Sequence, residues 1–139
     1  MNASPVDVWV NGRRLSVACY GESGPLVILL HGFPDTRHSM VPLASLLSAQ
    51  GAYVAVPALR GYEPSELAPD QRYDLEALAL DVIGLIDALG HERAVVVGHD
   101  WGAVIAYVSA VLCADKVVKI FALSVPPITL FARRGLTSL

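Results

Sequence analysis

The stretch Ala94-Val95-Val96-Val97-Gly98-His99-Asp100-Trp101-Gly102-Ala103-Val104-Ile105 passes from one apolar run into another, with a single acidic residue between two glycines. Ala94 to Val97 reads as a strand covered on both faces, and Trp101 to Cys113 as a helix. A turn from strand to helix within three residues crowds its own backbone, so the positions flanking its apex tolerate no side chain. Gly98 and Gly102 stand there. The apex, Asp100, is thereby held clear of the sheet at a helix N-terminus, where the helix dipole favours an anion. An aspartate at a helix start also serves as a plain N-cap, so this motif alone leaves both readings open.

The rest of the chain alternates strands and helices. Val6 to Val10 and Leu15 to Tyr20 flank Asn11-Gly12, a pair suited to the positive φ angles of a hairpin turn. Leu26 to Leu30 is a covered strand that ends at His31-Gly32-Phe33-Pro34. A helix follows, with Pro42 near its start, Leu43, Leu46 and Leu47 on one face, and Gly51 at its end. Tyr53 to Val56 is a strand, and Pro57 to Arg72, broken by prolines and Gly61, is expected to be a surface loop. Asp74 can cap a helix whose Leu75, Leu78, Ala79, Val82, Ile83 and Ile86 form one apolar stripe, ended by Gly90. Val118 to Ser124 is the last strand, and Ile128 to Leu139 has no clear pattern. The expected fold class is α/β: an antiparallel hairpin, then a parallel sheet with helices on both faces.

Composition bounds the function. The 139 residues are 54% hydrophobic and 17% charged, against a usual charged share of about 25%, with a net charge of -3. One domain, 1–139, is the natural expectation at this length. The charges are scattered, with no basic stripe to track phosphates or an anionic membrane, so neither nucleic acid nor a membrane is an expected partner. Cys19 and Cys113 have no second ligand at metal-binding spacing and read as small buried hydrophobes. No ligand cluster implies a cofactor or metal. The first residues lack the basic and apolar regions of a secretory signal, and the apolar run Trp101 to Ala114 is shorter than the ~18 residues of a membrane span, so a cytoplasmic protein is expected.

Four segments together carry a resemblance: Leu29-Leu30-His31-Gly32-Phe33-Pro34-Asp35-Thr36, Arg60-Gly61-Tyr62, Val97-Gly98-His99-Asp100-Trp101-Gly102, and Leu123-Ser124-Val125-Pro126. In this order they resemble the epoxide-hydrolase branch of the α/β-hydrolases, over nearly the whole chain. The resemblance implies that Gly98-His99-Asp100-Trp101-Gly102 is a nucleophile elbow with Asp100 in place of the usual serine. It implies an oxyanion hole built from the backbone N–H groups of Phe33 and Trp101, with His31, Gly32 and Pro34 shaping the first of these turns. Asp100 would then open a small apolar epoxide by attack on carbon, and water activated by a histidine would hydrolyse the ester to a diol. Haloalkane dehalogenases share the aspartate elbow, but Phe33 stands where a halide-binding Asn is expected. Fluoroacetate-type dehalogenases carry Arg after the nucleophile, where this chain has Trp101.

By the same resemblance an acid and then a histidine follow the nucleophile. The four histidines are His31, His38, His91 and His99, and the single later acid is Asp115. The last strands and the cap are also missing, so the domain is expected to be incomplete at its C-terminal end and able at most to form the ester. His99 adjoins the nucleophile but is expected to point away from it. A non-catalytic alternative is a remnant or subunit that associates through the edge of its last strand.

Overall fold

The computed structural model describes residues 3–127 and Thr129; the stretch for which the sequence suggests no element, 128–139, falls otherwise outside them. Its elements are β1 (Pro5–Val10), β2 (Arg13–Tyr20), β3 (Leu26–Leu30), a 3-10 turn (Arg37–Met40), α1 (Val41–Ala49), β4 (Tyr53–Pro57), α2 (Leu75–Ala88), β5 (Ala94–His99), α3 (Trp101–Leu112) and β6 (Val117–Leu123). They build a six-stranded sheet in the order β1-β2-β4-β3-β5-β6. β1, β2 and β4 pair antiparallel, whereas β4, β3, β5 and β6 run parallel. The hairpin turns on Asn11 and Gly12, both at positive φ (50° and 79°), as a two-residue connection requires.

Helices cover both faces. Along β3 the side chains alternate: Ile28 and Leu30 join the core under α2 and α3 with Val82, Leu85, Ile86 and Ile105, while Val27 and Leu29 join the core under α1 with Ala44, Val54 and Val56. Asp74 caps α2 as expected, accepting from the Ala77 amide at 3.0 Å. The Arg72 guanidinium and that amide hold the Asp74 carboxyl down at about 2. Its contribution to stability is therefore complete above the ordinary Asp value and lost only as pH falls through about 2.

Three expectations change. Leu46 does not share the buried face of α1 but is 67% exposed, because Ala44 points straight at the sheet and a residue two positions on lies on the opposite side of a helix. The loop after β4 is not merely superficial: Ala58, Leu59, Arg60, Ser65 and Ala68 are buried. It stays beside β2, where the Ala58 amide donates to Ser16 O, the Glu66 amide to Arg14 O, and the Ser16 amide to Ser65 Oγ, so the polar groups it buries there find partners on that strand. Cys19 and Cys113 are half-buried, and Cys113 lies just past the end of α3. Among the described residues no helix is long and apolar enough to cross a membrane.

Candidate active site

Asp100 stands at the corner between β5 and α3, with φ 56° and ψ -117°. These are the angles of the first central residue of a type II′ turn, a position that ordinarily takes glycine. An aspartate there is strained by about 1–3 kcal/mol, and the surroundings must hold it in place. They do so at several points. The Asp100 amide donates to Leu123 O on β6 at 3.2 Å, and the Asp100 carbonyl accepts from the Ala103 amide at 3.0 Å, starting α3.

The glycines are demanded by contact. A Cβ on Gly98 would lie 2.1 Å from Gly102 O, and one on Gly102 would lie 2.2 Å from Leu30 O. A Cβ on Gly32 would lie 2.5 Å from Asp100 Cβ. The bare Gly98 lets the β5 turn close on itself, and the bare Gly102 and Gly32 let the β3 turn and the β5 turn touch.

The Asp100 side chain makes no capping bond to its own helix. Instead Oδ2 accepts from the Phe33 amide, across the gap between the two turns, at 3.0 Å. The amides of Phe33 and Trp101, in that order of effect, hold the carboxyl below its ordinary value. Both sequence segments therefore meet at one carboxylate, and the N-cap alternative does not describe its bonding. Pro34 follows Phe33 through a cis peptide bond.

His31 is fully buried. Its Nδ1 lies 3.0 Å from Gly32 O, and its Nε2 accepts from the Leu59 amide at 3.2 Å. An Nε2 that accepts carries no proton, so the proton sits on Nδ1 and is donated to Gly32 O. Burial keeps the ring neutral by lowering its pKa. Tyr62 meets it edge-on, with centroids 4.6 Å apart. His99 closes β5 and makes no hydrogen bond to Asp100 among the described residues. Asp115 lies exposed in the turn between α3 and β6, at the far end of α3 from Asp100.

Beside the carboxylate opens a cleft of about 440 Å³, walled by Phe33, Tyr62, Leu67, Tyr73, Trp101 and Ile105. Its size and lining suit a small apolar molecule. Much of that wall belongs to the loop after β4, and the loop is anchored by a buried ion cluster that sequence reasoning missed. Asp81 on α2 accepts from Arg13 Nη2 at 2.6 Å and from Arg60 Nη2 and Nε, each at 2.9 Å. Arg60 Nη1 also donates to Arg72 O at 2.7 Å, tying the two ends of the loop together. Burial pushes the Asp81 carboxyl up, against the pull of Arg60. The available signal was position: Asp81 falls between Leu78 and Leu85 on the apolar stripe of α2, where an unpaired charge would be untenable.

Comparison with known proteins agrees with this geometry. A family model described as alpha/beta hydrolase fold matches residues 25–134. The chain is 46% identical over 119 residues to epoxide hydrolase A of Mycobacterium tuberculosis, an alignment covering 84% of this chain and 37% of that protein. It is 37% identical over 116 residues to epoxide hydrolase 2 of Siraitia grosvenorii, covering 83% and 36%. Among solved structures, epoxide hydrolase A from Mycobacterium thermoresistibile matches with a TM-score of 0.86 and 39% identity, covering 96% of this chain and 44% of that one. The chain thus spans well under half the length of the relatives it matches. With its sheet order, its two facing turns and these matches, the chain belongs to the α/β-hydrolase fold family and resembles its epoxide-hydrolase members.

Proposed function

We propose that Asp100 is the nucleophile of an epoxide-hydrolase-like reaction and that the 139-residue chain by itself performs the first half of it. The observation that carries this reading is the Asp100 carboxylate, charged, making no capping bond, and accepting from the N–H of Phe33, which with Trp101 lines the apolar cleft. A carboxylate oxygen attacks an epoxide carbon, the C–O bond breaks, and the released alkoxide takes a proton from solvent to leave a β-hydroxyalkyl ester. When water attacks that ester, negative charge develops on the oxygen that the Phe33 and Trp101 amides hold. The described residues place no histidine against Asp100 to activate that water, so the ester persists.

The test is the intact mass of the chain after exposure to excess styrene oxide. The expected result is one added substrate mass, mapped to Asp100 and absent in Asp100→Asn. The depressed pKa of Asp100 also fixes the sign of the pH dependence: the rate is flat through neutrality and falls only in acid below the ordinary carboxylate range, as the carboxylate takes up its proton. A folded chain that gains no mass would overturn the reading, as would an adduct that persists in Asp100→Asn.

A second reading, association through the sheet edge, is favoured by β6. It is the last strand of the sheet, and Phe121 and Leu123 on it are 58% and 51% exposed. They flank an open apolar groove of about 480 Å³ shared with Leu43, Leu47, Val95 and Val97. Lysine at position 121 places a charge in that groove and blunts the edge. Light scattering is expected to show the native chain associating with rising concentration and Phe121→Lys remaining smaller; equal masses for both would remove the edge as the cause.

A further inference from the structure

We propose that His31 is a positioning residue: it orients the Gly32–Phe33 peptide unit, whose N–H group serves Asp100. The Gly32–Phe33 peptide has its carbonyl on one side and its N–H on the other. The carbonyl accepts from His31 Nδ1–H at 3.0 Å, and more distantly from the Asp35 amide at 3.2 Å. The N–H of the same unit donates to Asp100 Oδ2 at 3.0 Å. Because a peptide is planar, fixing the carbonyl fixes the direction of the N–H. A hydrogen bond to the carbonyl also polarises the unit and strengthens the N–H as a donor.

His31 is itself fixed from the other side. The Leu59 amide, in the buried loop after β4, donates to Nε2 at 3.2 Å and so selects the Nδ1–H tautomer. With Tyr62 against the ring edge and no solvent exposure, the imidazole has one orientation and one proton position. The ring therefore couples the loop that walls the cleft to the amide that holds the carboxylate.

The inference rests on the reading of Phe33 N–H as an oxyanion donor, and its test separates the two. Asparagine at position 31 can place an N–H near Nδ1 but leaves the Leu59 amide without an acceptor. Glutamine reaches Nε2 and can accept from Leu59 but leaves Gly32 O without its nearer donor. Rate of adduct formation with styrene oxide and the proton shift of the Phe33 amide are measured for both. His31→Asn is expected to stay within a few-fold of the native rate with the Phe33 amide shift retained. His31→Gln is expected to lose about 10-fold or more, with that shift moved upfield. A merely structural role would make the two variants equal in rate and shift, and that result overturns the proposal. If no chain forms an adduct, the proposed function fails while the Phe33 shift still decides the role of His31. Should neither variant fold, the imidazole nitrogen spectrum of the native chain decides: an Nε2–H tautomer overturns the proposal, and Nδ1–H upholds it.

Discussion

Asp81→Asn is expected to lower the stability of the fold by about 3–5 kcal/mol, the loss typical when one partner of a buried ion cluster is removed. The carboxylate is shared by Arg13 and Arg60, both almost fully buried. Arg13 Nε already has no partner among the described residues, and the other carboxylate within reach of Arg60, that of Asp70, is exposed and 3.6 Å from Nη1. The amide of asparagine is neutral and would leave two guanidiniums facing each other in a dry site. Against a total stability of about 5–15 kcal/mol the change is large. In urea unfolding, with a slope of roughly 2 kcal/mol per molar, the midpoint should fall by about 2 M. A loss under about 1 kcal/mol would mean that the cluster is screened as a surface pair is.

Gly98→Ala is expected to strike the site itself. The added methyl would sit 2.1 Å from Gly102 O and 2.6 Å from the Ala103 amide nitrogen, both backbone atoms of the first turn of α3. No flexible side chain can yield there, so the corner must open. A shift of about 1 Å in Asp100 relative to the Phe33 amide can cost on the order of 100-fold in rate, alongside about 1–3 kcal/mol of overpacking. Adduct formation timed by intact mass should therefore slow far more than the unfolding midpoint alone would suggest. A Gly98→Ala variant that reacts at the native rate would show the elbow to be more compliant than its contacts imply.

What was legible in the sequence was mostly what is local. Asn11-Gly12 carries its own turn geometry, Asp74 its own cap, and Gly98 its own steric demand, so each could be read within a few residues, whereas Gly102 answers to Leu30 O on a strand distant in the sequence. The facing turns at Phe33 and Asp100 were legible because two such segments in order resemble a known family. The burial of the loop after β4 was not, because its partner β2 lies some 50 residues earlier and the loop's prolines and polar residues look solvated until that strand is beside them. Asp81 escaped for the same reason: Arg13 and Arg60 reach it only once α2 lies over the hairpin. Leu46 was misassigned because a nine-residue helix with leucines on several sides has a weak preference, and one small alanine decides which way it faces.

The backbone at Asp100 favours a residue other than the one it carries. Among the twenty side chains, glycine alone accepts φ 56° and ψ -117° without steric objection, so aspartate persists at that corner against a standing conformational preference. A laboratory lineage propagated for heat tolerance alone, with no demand on chemistry, would drift toward erasing the one carboxylate that both turns are folded to present.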